Sequence, residues 1–238
     1  MDLIGQNLHI GCNFGKNMTP RTKILLLAAC LFASFGSAAS AQFQLSIYGG
    51  VQSLPHSGVT GNDPAGVGSF SFSAGWEGNS FKMPPYYGVR GTWWQENNIG
   101  YSLDFTHSKA YANDETLAAS GYEVLEFTDG INTLTLNAVK RLKTRGNFTP
   151  YVGGGLGIAI PNVEVQTSAS APKTFEYQYG GVVAQFQGGV EYDLGNQWSI
   201  FGEYKMNYVD LDVDLEGGGS LSTNLVTNAF NIGAGFSF

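Results

Sequence analysis

Beyond position 41 this chain contains no cysteine, since Cys12 and Cys30 both stand before it. A protein exported without them has no disulfide framework and must be held together by other means. Histidine is almost as scarce: only His56 and His107 follow position 41, which excludes a His-rich metal site. Positive charge is also short, with 12 Lys and Arg against 19 Asp and Glu in 238 residues. Removing 1–41 takes away Lys16, Arg21, Lys23 and Asp2 and leaves 9 basic against 18 acidic residues. An acidic chain without a basic cluster argues against nucleic acid as a partner. No Gly-x-Ser-x-Gly elbow, His-Glu-x-x-His pair or dinucleotide fingerprint is present. The glycine run Gly153-Gly154-Gly155-Leu156-Gly157 has no helix after it, so its glycines read as space-makers inside a crowded sheet.

Long hydrophobic runs are missing too. The longest, 24–35, has twelve residues, whereas a spanning helix needs about 20. It follows Arg21 and Lys23 and precedes the small-x-small site Ala39-Ser40-Ala41, the three regions of a secretory signal in order. Residues 1–41 are therefore expected to be an upstream extension and cleaved signal peptide for Sec-type export, with the start at Met1 or Met18. A lipoprotein processing box at Cys30 is the weaker alternative, because the apolar run continues past the cysteine.

What the chain does have is alternation. In the last fifteen residues Phe230, Ile232, Ala234, Phe236 and Phe238 fall on one parity, and Thr227, Asn231, Gly233, Gly235 and Ser237 on the other. Period two is the period of a strand. One face is apolar and aromatic, the other small and polar, and the chain stops on a Phe, as outer-membrane barrels do. Similar runs occupy 43–51, 86–94, 99–111, 130–142, 150–161, 180–194 and 197–212. Short turns (95–98, 144–148, 195–196) alternate with long connections (52–84, 113–129, 163–178, 213–223). The reading is all-β: over 42–238, an eight-stranded antiparallel transmembrane barrel with long outer loops, in the outer membrane of a Gram-negative bacterium. A soluble barrel is the rival, but its apolar residues would face inward. Trp93, Trp198, Tyr204 and Tyr208 are candidates for the interfacial aromatic belts. The strand ending at Phe238 is the expected handle for the barrel assembly machinery.

Arg90, Asp104, Glu191, Glu203 and Lys205 share the lumen parity. Charges away from water must be paired, so a self-neutralising network is the expected arrangement, with a buried acid–base set the sharper alternative. An eight-stranded interior is filled by side chains, which disfavours a general pore. In the first connection, 69–76 alternates Phe70, Phe72, Ala74 and Trp76 with small or polar residues, which allows an extra hairpin above the membrane. That connection also holds His56, Asp63 and Glu77, and the third strand ends with Asp104 and His107. These five are the rim candidates for catalysis, and a His/carboxylate set of this kind suits a divalent metal. Glu164, Glu176, Asp210, Asp212, Asp214 and Glu216 read as a solvated acidic loop surface, or as carboxylates bridged by cations to lipopolysaccharide.

Several blocks resemble one family, the rhizobial lipid A oxidases, within the small outer-membrane β-barrel proteins. They include SIYGGVQSLPHSGVTGNDP (46–64), AGWEGNSFKMPPYYGVRGTWW (74–94), LDFTHSKAYANDETL (103–117), LEFTDGINTLTLNA (125–138), TPYVGGGLGIAIPNVEV (149–165) and WSIFGEYK (198–205). The resemblance spans 45–238. It implies an outer-membrane enzyme that uses molecular oxygen to convert the proximal glucosamine of lipid A to 2-aminogluconate, releasing hydrogen peroxide. It carries over no catalytic residue. The alternatives are a non-catalytic barrel with a structural or surface-interaction role and, less favoured, a narrow channel.

Overall fold

A computed structural model of the chain describes residues 42–168 and 170–238; the expected leader, 1–41, lies outside them. Strand β1 (Gln42–Ser53) is followed by β2 (Ser57–Asp63), β3 (Gly68–Ala74) and the short β4 (Trp76–Glu77). β5 (Tyr87–Trp94) and β6 (Ile99–His107) lead to β7 (Ala110–Ala112), helix α1 (Asp114–Ser120) and β8 (Val124–Phe127). Then come β9 (Ile131–Arg141), β10 (Phe148–Gln166), β11 (Thr174–Tyr177), β12 (Gly181–Gly195), β13 (Trp198–Leu215) and β14 (Gly219–Ser237).

Eight of these, β1, β5, β6, β9, β10, β12, β13 and β14, pair antiparallel in a closed ring. The first and last strands shut it, with Gln44 opposite Ser237 and Ser53 opposite Asn228. Closure leaves none of the eight strands with an unpaired edge in hydrocarbon. The turns at one end are tight; Asn196 and Gln197 take φ of 51° and 71°, the left-handed pair a two-residue hairpin needs. The outward parity is apolar and bare: Ile47 is 61% exposed, Leu156 71% and Ile232 78%. Such a belt is stable only against lipid. The glycine run of β10 lies against β9 so closely that a Cβ on Gly155 would sit 1.9 Å from the Leu136 carbonyl oxygen.

The other end departs from the expectation of long irregular loops. The hairpin expected in the first connection is present as β2–β3, but it is no free flap: β2 pairs with the start of β14, Val59 opposite Thr223. The segment 213–223, expected as a loop, is strand except for a three-residue turn, Glu216–Gly218, because β13 runs to Leu215 and β14 starts at Gly219. Likewise β10 runs on to Gln166, flanked above the ring by β8 and β11. The second connection holds α1, with Asn113 as its cap: the Asn113 side chain accepts from the Thr116 amide at 2.9 Å, and Gly121 ends the helix at φ 81°.

The reason for the mistaken loop is a change of sign. Going outward along the inside of β12, β13 and β14, the row Gln185–Asn207–Thr227 is polar, and the next row, Val183–Val209–Leu225, is apolar. Leu211, Val213, Leu215 and Leu221 continue it, fully buried or nearly so. On the opposite parity Asp210, Asp212 and Asp214 are exposed. The inward apolar set joins Trp76, Leu125, Phe127, Val163 and Val165 in one core above the membrane. The strands thus leave lipid and enter water without stopping, and inside and outside exchange polarity.

Candidate functional site

Two places gather titratable side chains. The first is the lumen. Arg90 donates from both terminal nitrogens to Glu203, each at 2.8 Å, and from Nε to Asp104 at 3.0 Å. Lys205 donates to Asp104 at 2.7 Å and to the Tyr48 hydroxyl. Tyr48 donates to Asp104 at 2.7 Å, Gln185 Nε2 donates to Asp104 at 3.0 Å, and Tyr151 donates to Glu203 at 2.9 Å. Tyr48 crosses over Gly88, where a Cβ would stand 2.0 Å from its ring, so only glycine fits beneath it. Two cations face two carboxylates with their hydrogen bonds largely met, the form in which buried charge is tolerated. Glu191, grouped with them by parity, instead pairs with Arg141 at 3.0 Å. A neighbouring cavity of about 20 Å³, bordered by Arg90, Trp94, Tyr151 and Glu191, has room for one water. This is a plug.

The second place is the outer face of the small sheet above the ring. Registers place Glu77 of β4 opposite Tyr111 of β7, Tyr111 opposite Glu126 of β8, Glu126 opposite Glu164 of β10, and Glu164 opposite Phe175 of β11. The intervening residues Trp76, Ala110, Phe127 and Val165 point into the apolar core, which turns this row outward. Lys82 lies over the Tyr111 ring at 4.3 Å and Lys109 at 5.6 Å. Lys173 pairs with Glu164 at 2.5 Å and lies over Phe175 at 5.1 Å. Thr128 donates to Glu164 at 3.0 Å. Lys82 and Lys173 therefore meet on one patch of an otherwise acidic outer surface, with Lys109 buried beneath it. Glu164 lies four residues beyond Ile160 of the lipid-facing belt, roughly 13 Å along the strand.

The patch splits its carboxylates. Burial and the neighbouring Glu164 raise Glu126 above the ordinary carboxylate range. Burial also works against an ionised Glu164, but the hydrogen bonds from Lys173 and Thr128 override it and hold Glu164 low. The two stand opposite each other across β8 and β10. Adjacent carboxyls pushed apart in this way form an acid–base pair. Burial and the nearby Lys82 lower Lys109 from the usual lysine range.

The five rim candidates do not come together. Glu77 joins the patch as the end of its row. Asp104 is no rim residue: it is wholly buried at the centre of the lumen plug. His107 ends β6, its Nδ1 2.9 Å from the Asn132 side-chain oxygen and its ring stacked on Tyr87 at 5.2 Å. Asp63 is buried at the end of β2 against Tyr122, and His56 is exposed between β1 and β2. Among the described residues no three His, Cys, Asp or Glu are grouped so as to hold a metal ion. The rim set, which suited a divalent metal by residue type, is therefore not gathered into a ligand set. Sequence reasoning missed Glu126, Lys82 and Lys109, and took Glu164 for a solvated loop residue. What lines up Tyr111, Glu126 and Glu164 is pairing across β7, β8 and β10, and β7 and β8 are too short to show a period in the sequence.

The sequence pattern of the outer membrane protein beta-barrel domain matches residues 24–238. The chain belongs to that family. It is a small barrel of the Gram-negative outer membrane. The solid-state NMR structure of the outer membrane protein AlkL in DMPC lipid bilayers is similar, with 15% identity and a TM-score of 0.51, over 85% of this chain and 94% of that one. Neisserial surface protein A (13% identity, TM-score 0.49, 84% of this chain, 100% of that one) is also similar. So is the E. coli outer membrane protein W (18%, 0.44, 85% and 100%). No curated protein matches in sequence. At these identities the likeness concerns the fold alone.

Proposed function

We propose that the barrel acts on lipid A in the outer leaflet, as an oxygen-dependent oxidase of its proximal glucosamine, with chemistry at the outer patch. The observation that carries the placement is the Glu126–Glu164 pair beside Lys82 and Lys173, just above the lipid-facing belt. Lipid A is a phosphorylated sugar, and lysine is suited to phosphate. The blocks that resemble the rhizobial lipid A oxidases contain Glu77, Lys82, Lys109, Tyr111, Glu126 and Glu164.

In this reading C1 of the proximal sugar, as a lactol, loses its C–H hydrogen and its hydroxyl proton and becomes a lactone. Two electrons and two protons reduce oxygen to hydrogen peroxide, and water opens the lactone to 2-aminogluconate. Ionised Glu164 takes the hydroxyl proton and protonated Glu126 returns one to the nascent peroxide. No step is assigned to a metal.

The test is mass spectrometry of lipid A from a heterologous host whose lipid A lacks the C1 phosphate, with and without the gene, in air and without oxygen. The expected product gains one oxygen on the proximal sugar, appears only with the gene and only in air, and falls by about 10²–10⁴-fold in Glu164→Gln and Glu126→Gln. Unmodified lipid A beside a folded barrel would sink the oxidase. It would favour the second reading, a non-catalytic barrel with a structural or surface role, for which the plugged lumen and packed outer core are already suited.

A further inference from the structure

Phe81 and Met83 are 79% and 78% exposed, barer than any other large apolar side chain above the ring among the described residues. They flank Lys82 on the connection between β4 and β5. This segment is tied down along its length. The Gln52 side chain donates to the Gly78 carbonyl at 2.9 Å and to the Lys109 carbonyl at 2.8 Å, and the Gln52 amide donates to Ser80 Oγ at 2.9 Å. Tyr86 N donates to the Ser80 carbonyl at 2.8 Å, and the Lys109 ammonium donates to the Lys82 carbonyl. A fixed segment that holds two apolar side chains out of the protein matches a membrane interface, not water. Lys82 and Lys109 have no carboxylate within 4.0 Å among the described residues, whereas Lys173 does. Lys109 is fully buried, and the Lys82 carbonyl is the hydrogen-bond acceptor found for its ammonium. The segment ends at Tyr87, an exposed aromatic at the outer end of the lipid-facing belt.

We propose that segment 78–86 is a docking site for one lipid A molecule of the outer leaflet: Lys82 meets a phosphate, Phe81 and Met83 lie along the acyl chains, and Lys109 fixes the segment from below. The surrounding carboxylates, Glu77 and Glu126 in particular, repel a free anion, so the acyl contacts are what make a phosphate acceptable here. The site rests on the proposed function only for its consequence, which is to deliver the headgroup to Glu126 and Glu164; the binding stands on its own residues.

The test is native mass spectrometry of the full barrel in detergent micelles, titrated with lipid A that keeps only its distal phosphate, fully dephosphorylated lipid A and phosphatidylglycerol. Wild type retains one lipid A with the distal phosphate about tenfold more tightly than either of the others, the size of one charge-assisted hydrogen bond. Lys82→Gln removes the preference for phosphate, Phe81→Ser with Met83→Ser weakens both forms of lipid A, and Lys143→Gln on the opposite turn changes neither. Equal retention by wild type and Lys82→Gln would overturn the site, and equal retention of phosphatidylglycerol would overturn lipid A as its occupant. Binding without any oxidation product would leave this site and remove the oxidase; product formation with Lys82→Gln binding unchanged would do the reverse.

Discussion

The lower and upper parts of β13 have the same backbone and opposite chemistry. From Trp198 to Tyr208 the inward residues include Ser199, Glu203, Lys205 and Asn207, and the outward ones include Ile200 and Tyr208. From Val209 to Leu215 the inward residues are Val209, Leu211, Val213 and Leu215, and Asp210, Asp212 and Asp214 point out. Geometry sets the period and the solvent sets the sign. In lipid the strand shows hydrocarbon outward and keeps its polar groups in a plug; in water it does what a soluble barrel does. The soluble barrel weighed as a rival for the whole chain describes its upper third.

That contrast can be broken at either end. The largest effect is expected in the plug. Arg90→Ala leaves Glu203 and Asp104 short of their shared cation and should cost about 3–5 kcal/mol, read from the urea midpoint of the folded, heat-modifiable form. In the upper core, Leu211→Ala should cost about 2–4 kcal/mol by loss of buried apolar contact, and should leave the tryptophan signals of the lipid-facing belt in place. The outward positions sharpen the comparison: Ile232→Lys, in the lipid belt, should cost about 2–3 kcal/mol, while Asp212→Lys, twenty residues earlier and also outward, should stay within about 0.5 kcal/mol. Equal costs at the two positions would erase the boundary between the regions.

The outer patch adds a pH signature. Glu164 is held low, so its stabilising contribution is complete above the ordinary carboxylate pKa of about 4.3 and is lost as pH falls through its own lower value. Glu126 is held high, so its contribution is complete below that ordinary value and is lost as pH rises through its own raised one. Between the two the pair is half-ionised. The rate constant kcat/KM should therefore rise as Glu164 ionises and fall as Glu126 does, a bell whose upper limb disappears in Glu126→Gln along with most of the rate. A flat profile in wild type would detach the pair from the chemistry.

The ring was legible because its strands obey one rule. Phe230, Ile232 and Phe236 outward, Asn231 and Gly233 inward, gave the period, the facing and the closing strand. The same rule hid the upper part. The run Asp210 to Glu216 alternates as strictly as any in the chain, but with acid on the lipid parity, and acid there looks like a loop when only one solvent is considered. The lumen charges were legible as a set because parity grouped Arg90, Asp104, Glu203 and Lys205, although parity alone could not show that Glu191 sits lower, with Arg141. The patch was not legible. Apart from Glu164 on the end of β10, its row is built by β4, β7, β8 and β11, strands of two to four residues, too short to show a period. Pairing across strands, not spacing along the chain, brings Glu77, Glu126 and Glu164 into line.

The most direct test uses the absence of cysteine beyond position 41. Single cysteines at Ile200, Tyr208, Asp210, Asp212 and Asp214, each carrying a nitroxide in a barrel reconstituted into bilayers, report collision with oxygen, which concentrates in lipid, and with a water-soluble nickel chelate. The account predicts oxygen-dominated relaxation at 200 and 208, nickel-dominated relaxation at 210, 212 and 214, and a crossover at the junction of Tyr208 and Val209. Oxygen-dominated relaxation at 212 and 214 would put the acidic face in lipid and contradict the inversion on which the outer core and the patch both depend.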